Sequence, residues 1–184
     1  MPRLETSAGF TLLDMMITVA VGATIVGIAV PSATRAMDSM KLSGAARDVE
    51  REVQTARMKA VSNNRSMRLR LNCPATGEYR IIEVTGVNAT DTSANRCSLE
   101  SFPYPGPGDS DAATPGHDGP VRTLPSGIAL GGPTLEFSPR GTAATVVSGA
   151  TQAITGTAAI TVTREDESAT VNINAIGRIH IDLR

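Results

Sequence analysis

Hydrophobic positions fall into three regimes along the chain. From Phe10 to Val30 almost every residue is apolar or small, and Asp14 is the single ionisable group. At about 1.5 Å per residue, a helix over this stretch spans roughly 30 Å, the depth of a bilayer's hydrocarbon core. The pattern then turns amphipathic. Leu42, Ala46, Val49, Val53, Ala56 and Ala60 recur at alternating spacings of four and three, the stripe of a helix with one apolar face. Asp48, Glu50, Arg51, Glu52, Arg57 and Lys59 occupy its other positions and read as a solvated or laterally contacting face. This predicts one long helix in two halves, residues 10–30 and 31–62, ended by Asn63-Asn64 because Asn tolerates the left-handed conformation. Pro31 lacks an N–H and follows Gly22 and Gly27, so a kink or local melting is predicted near 27–31.

Beyond residue 62 the period drops to two. Met67, Leu69 and Leu71 alternate with Arg68 and Arg70 as in a half-buried strand. Further strands are predicted at Tyr79–Val84, Val121–Leu124, Thr134–Ser138, Ala158–Arg164, Ala169–Asn174 and Arg178–Asp182. Residues 86–120 carry no period and are rich in Asn, Asp, Ser, Gly and Pro. Loops of that length are usually functional or disordered. The expected fold class is α+β: a long N-terminal helix packed on antiparallel β-sheets, with residues 63–184 as a β-rich domain.

Composition adds little to this picture. The chain has 184 residues and a net charge of -1, which announces neither a nucleic-acid nor a membrane-surface binder. With three Phe, two Tyr and no Trp, the core must be built from aliphatic side chains. No local signature of a nucleophile–base set and no phosphate-cradling glycine loop is visible. Asp109, Asp111 and Asp118 with His117 are the candidate metal ligands, but the ligand set is too sparse and a solvated acidic loop is the expected reading, with no metal.

The start of the chain joins four features. A small residue, Gly9, precedes the apolar run, the reverse of a secretory signal peptide, so cleavage there leaves the helix on the mature protein. Phe10 becomes the new terminus, with the carboxylate of Asp14 at the fifth position. Gly9-Phe10-Thr11-Leu12-Leu13 resembles the precursor signature of type IV pilins and type II secretion pseudopilins. Asp14 stands where that family usually has Glu, and Pro31 where it commonly has proline. Leu124-Pro125-Ser126-Gly127-Ile128, then Leu135-Glu136-Phe137-Ser138-Pro139-Arg140-Gly141, then Ile176-Gly177-Arg178-Ile179 are similar to the GspH/FimT branch of minor pilins.

The resemblance implies a structural protein and no enzyme, with no cofactor. It implies a minor component of the tip or initiating complex of a type II secretion pseudopilus or a type IV pilus, with other pilins as partners through the N-terminal helix. Residues 1–9 would be the leader, cut by a prepilin peptidase between Gly9 and Phe10, with Phe10 then N-methylated. Residues 10–30 would span the inner membrane, leaving the C-terminal domain in the periplasm. That orientation comes from the resemblance, because Arg35, Lys41 and Arg47 after the span outweigh the leader's own charge. In that oxidising compartment Cys73 and Cys97 are expected to pair. Asp14 would meet the α-amino group of a neighbouring subunit and set register between subunits, since a lone carboxylate in hydrocarbon needs a partner.

Two alternatives are open. FimT-like minor pilins of DNA-uptake pili are associated with DNA binding through a C-terminal Gly-Arg-x-Arg motif. Here it reads Gly177-Arg178-Ile179-His180, so Arg178 and His180 are the candidate DNA contacts. His180 is largely neutral at pH 7, whereas phosphate contact needs persistent positive charge. Arg65, Arg68, Arg70, Arg80, Arg164, Arg178 and Arg184 otherwise read as outward strand positions. The other alternative is a single-span envelope protein unrelated to filaments.

Overall fold

The computed structural model describes residues 10–111 and 113–183; the expected leader with Gly9, and Arg184, lie outside the described residues. The helix α1 runs Leu12–Ser62 and continues through residue 31. The chain divides into two compact units, one ending at Ser39 and one beginning at Met40.

In the first unit the apolar side chains of α1 are exposed all round, from Phe10 and Leu12 to Ile28 and Val30. This helix is long and apolar enough, by length and composition, to cross a membrane. In the second unit α1 buries one stripe. Leu42, Ala46, Val49, Val53, Ala56 and Ala60 are all buried, as the spacing predicts, and Ala45 joins them. Glu52 departs from its predicted solvated face: it is 6% exposed and lies 3.5 Å from Arg122 Nε. Burial pushes its carboxyl up from the ordinary range, and Arg122 draws it back only in part.

The strands that follow are β1 Met67–Leu71, β2 Glu78–Glu83, β3 Val121–Thr123, β4 Ala129–Gly131, β5 Thr134–Phe137, β6 Ala143–Val147, β7 Ala150–Ala153, β8 Thr157–Arg164, β9 Glu167–Asn174 and β10 Ile179–Leu183. They form two antiparallel sheets, ordered β3-β2-β1-β5-β6-β7 and β10-β9-β8-β4. One hydrophobic cluster draws on the helix stripe and on both sheets, with Met67, Leu69, Ile81, Leu135 and Phe137 from the larger and Ile160, Val162, Val171 and Ile173 from the smaller. Alternation explains the membership: β1, β2, β5, β8 and β9 contribute every second residue to that core, whereas β3 and β7 contribute none. Asn64 ends the helix at φ 51°, the left-handed conformation its side chain tolerates.

Three strands escape the periodic reading: β4, β6 and β7. They are short, and Ala, Gly and Thr dominate them, so hydrophobic alternation is faint. The hairpin β6–β7 did carry a turn signal, Ser148-Gly149, both at positive φ, as a two-residue hairpin turn requires.

Candidate functional site

The N-terminus of α1 is closed by side chains. The Thr11 N–H and hydroxyl donate to Asp14 Oδ2 at 3.1 and 2.8 Å, and the Asp14 N–H donates to Thr11 Oγ1 at 3.3 Å. This is a reciprocal capping box with Asp in the place of Glu. The carboxylate therefore has a partner within its own chain, satisfying helix N–H groups that have no intrahelical acceptor. The spacing Thr-x-x-Asp before an apolar run was legible in the sequence and gives Asp14 a local role alongside the one expected between subunits.

The second constellation lies on the outer face of the six-stranded sheet. There the β1 and β2 side chains opposite the core are Arg68, Arg70, Arg80 and Ile82, paired Arg68↔Ile82 and Arg70↔Arg80 across the strands. Arg68 and Arg80 point away from the core as expected of outward strand positions, yet they are not open to solvent: Arg80 is 0% exposed and Arg68 8%. Arg68 is held by Glu136 of β5 at 2.7 Å, while Arg80 is covered by the irregular segment between β2 and β3. After a four-residue helical turn, α2 Asn88–Asp91, it crosses β2 as a strap.

Buried charge fastens this strap. Arg80 donates through Nε to the Gly119 carbonyl at 2.7 Å and through Nη2 to the Phe102 carbonyl at 2.7 Å. Its Nη1 reaches the carbonyls of Cys97 and Ser98, both at 3.3 Å. A guanidinium's planar array of donors suits such a spread of carbonyls. Arg96, itself buried, forks onto the carboxylate of Asp118 and donates to the Glu83 carbonyl at 2.8 Å. Asp118 Oδ1 also accepts from the Glu83 N–H at 2.8 Å. The solvated acidic loop is thereby corrected for Asp118: it is 2% exposed and serves as a clasp. Asp109 is exposed. Asp111 is engaged by the N–H groups of Ala113 and Thr114 at 2.7 and 2.6 Å. Among the described residues no group of three His, Cys, Asp or Glu is placed to hold a metal.

Glu83 closes the strap from the sheet side. Its Oε2 accepts from the Ser110 hydroxyl at 2.7 Å and from the N–H groups of Gly116 and His117 at 2.8 and 3.0 Å. Burial alone would raise its carboxyl, but these hydrogen bonds hold it below the usual carboxylate range. Cys73 and Cys97 form a disulfide with their Cα atoms 5.4 Å apart, tying the strap to the segment after β1.

Ser110, His117 and Glu83 invite comparison with a hydrolytic triad, and the geometry rejects it. His117 Nδ1 is 3.0 Å from Ser110 Oγ and 3.2 Å from Glu83 Oε2, so one ring nitrogen faces both groups. A triad needs the two nitrogens of the ring to serve nucleophile and carboxylate separately. Ser110 moreover donates to the carboxylate directly.

The C-terminal candidates sit elsewhere. The Arg178 N–H is held by Asn174 Oδ1 at 2.8 Å, in the β9–β10 turn. His180 Nε2 lies 3.2 Å from Asp182 Oδ1. A carboxylate thus stands beside the position where the DNA-binding motif would need a second cation, and no observation here favours that alternative.

No curated protein sequence matches the chain. Among solved structures, the minor pseudopilin EpsH from the type 2 secretion system of Vibrio cholerae is similar at 12% identity and TM-score 0.46, covering 78% of this chain and 97% of that one. The type IV minor pilin FimU of Pseudomonas aeruginosa is similar at 17% identity and TM-score 0.45, covering 77% and 92%. A family model described as type II transport protein GspH matches residues 45–177. That match takes in the buried helix stripe from Ala45 onward, both sheets as far as the β9–β10 turn and the whole strap, and by it the chain belongs to the type II transport protein GspH family.

Proposed function

We propose that the protein is a minor pilin or pseudopilin, assembled through its N-terminal helix into the tip or initiating complex of a type II secretion pseudopilus or a type IV pilus. The observation that carries this reading is the contrast within α1 on a GspH-family chain. Its first stretch exposes apolar side chains on every side, while its second buries one stripe in the domain. Contiguous exposed apolar surface on that scale marks a contact with lipid or protein. In this reading the helix is held in the inner membrane with the domain on the periplasmic side, and is later packed among the helices of other pilins. Prepilin peptidase removes Met1–Gly9, and Phe10 becomes an N-methylated terminus. Asp14 then faces the terminal amino group of a neighbouring subunit.

Intact-mass measurement on protein extracted from the membrane tests the processing step. The expected species begins at Phe10 and carries one added methyl group. A mature species that retains Met1–Gly9 rules the reading out, because the uncut leader would occupy the terminus that assembly uses.

A further inference from the structure

Among the described residues, Arg70 is the cation on the strapped face without a counter-charge at ion-pair distance. Arg65 lies 3.6 Å from Glu83, Arg68 2.7 Å from Glu136, Arg96 forks onto Asp118, and Arg80 donates to four carbonyls with its Nη2 3.9 Å from Asp118. Arg70, next to them on β1, has no such partner among the described residues, and its Nη1 is buried without an acceptor. Unsatisfied buried donors are rare and costly, more so on a charged group. Burial, followed by the neighbouring guanidinium groups of Arg96 and Arg68, lowers the Arg70 pKa, the mark of a cation in an unfavourable setting.

A cavity of about 250 Å³ opens over this group, lined by Arg68, Arg70, Thr92, Thr134, Ser148 and Gly149. Its polar wall carries three hydroxyl-bearing side chains beside the guanidinium. Asp91 also lines it, but both its carboxylate oxygens are taken by the N–H groups of Thr85 and Gly86. We propose that this cavity is a receiving site for a carboxylate, presented by an Asp or Glu side chain of a neighbouring protein subunit.

Two features select that ligand. One uncompensated positive charge, with Asp91 close by, matches a monoanion better than a phosphate of charge near −2, and a guanidinium fork suits a planar carboxylate. The rim then points to a protein carrier. Ser148 and Gly149 lead directly into β7, an edge strand of the six-stranded sheet whose four residues are all exposed. From Gly141 to Thr163 the chain has no charged residue. Edge strands normally carry charge or proline that discourages pairing; this one, beside the unpaired arginine, carries neither. The proposal rests on the assembly reading for the source of the carboxylate, and on the cavity alone for its chemistry.

The test uses the full chain in detergent micelles, with arginine Nε–H resonances read by NMR and the Arg70 signal assigned by its loss in Arg70→Gln. Sodium acetate should shift that signal saturably, and Thr134→Val should weaken the response about fivefold, the scale of one lost hydrogen bond. No saturable shift overturns the site, and tighter binding of inorganic phosphate overturns the assignment to a monoanion. Arg70→Gln should leave the thermal midpoint unchanged or higher, since it removes an unpaired charge; a lower midpoint would make Arg70 structural and overturn the proposal. A photocrosslinker at Ser148 in cells separates the sources. Crosslinks to other pilins that vanish in Arg70→Gln support a protein carboxylate, and crosslinks that persist or never form overturn that source. Acetate binding is read without any filament, so failure of the assembly reading leaves the first arm intact.

Discussion

The first stretch of α1 and the strapped face of the larger sheet invert the usual distribution of side chains in opposite senses. In the helix, Leu12, Met16, Ile25 and Ile28 lie exposed. Under the strap, Arg80, Arg96, Glu83 and Asp118 lie buried. The two inversions have different remedies. Exposed apolar surface cannot be satisfied within the helix, because its backbone is already hydrogen-bonded and its side chains need a neighbour of another kind. Buried charge can be satisfied locally, and the strap supplies carbonyls and a carboxylate for most of its donors, leaving Arg96 Nε and Glu83 Oε1 without a hydrogen bond. An incomplete surface therefore points outward, to a medium or a partner, whereas a largely paired network points inward, to the order of a segment with almost no regular structure.

Breaking the buried network should produce the largest effect. Asp118→Ala leaves Arg96 buried with its carboxylate gone and frees the Glu83 N–H. Removing one member of a buried ion pair costs about 3–5 kcal/mol. Chemical denaturation of the full chain in detergent should show that loss, and amide exchange should quicken across residues 91–119. A change below about 1 kcal/mol, on the scale of an exposed ion pair, would mean that the disulfide and backbone contacts hold the strap unaided.

Acid attacks the same network from Glu83. Its carboxyl is depressed in the folded protein, with Arg65 and His117 as the ionisable groups facing it. For a depressed carboxyl, the stabilisation is present above the unfolded value and is lost as pH falls through the folded one. Strap protection should therefore hold at pH 6 and fade below its ordinary value of 4.5. Glu83→Gln should remove that dependence while lowering protection at neutral pH. A wild-type profile unchanged down to about pH 3 would deny Glu83 this role.

The two regions also differ in how far they could be read from the residues alone. Phe10–Val30 declared itself through composition, because an apolar run needs no partner to be recognised. The stripe from Leu42 to Ala60 and strands such as β8 and β9 were legible through their periods. The strap was not. Asp118 and Asp111 look alike in sequence, yet one is buried against Arg96 and the other turns a loop. Arg68 and Arg80 alternate with apolar residues as solvent-facing positions do, yet Arg80 is buried by the crossing of a distant segment and Arg68 is paired with Glu136 of the next strand. Periodicity reports which face of a strand leaves the core; it carries no information about what lies over that face.

A smaller effect is expected where the helix meets the β9–β10 turn. Gly177 has φ 74°, and a Cβ there would stand 2.6 Å from the Gly141 carbonyl oxygen and 2.8 Å from Arg57 Nε. Arg57 Nε itself donates to that carbonyl at 3.0 Å. Gly177→Ala should cost about 2 kcal/mol, from a disfavoured backbone conformation and a backbone clash. A thermal midpoint within error of the native protein would show that the turn can shift aside.

The smallest structural effect, and the one that tests the incomplete surface most directly, concerns Thr11. Its hydroxyl and N–H hold Asp14 in the capping box, so Asp14 has a local duty that competes with contact to another subunit. Thr11→Ala removes the hydroxyl and leaves the carboxylate in place. If Asp14 acts between subunits through its charge, the substitution frees one oxygen for that contact, and crosslinking to partner pilins should hold or rise while Asp14→Ala lowers it. If Asp14 acts by fixing the first turn of the helix, both substitutions should lower crosslinking together, since each opens the box from one side. Asp14→Glu sharpens the distinction, because the longer side chain can close the same box and still extend further toward a neighbour. Leader removal should be unaffected in all three variants, so that crosslinking yield reports assembly alone. Equal crosslinking in Asp14→Ala and the native chain would show that the carboxylate contributes to neither the contact nor the cap.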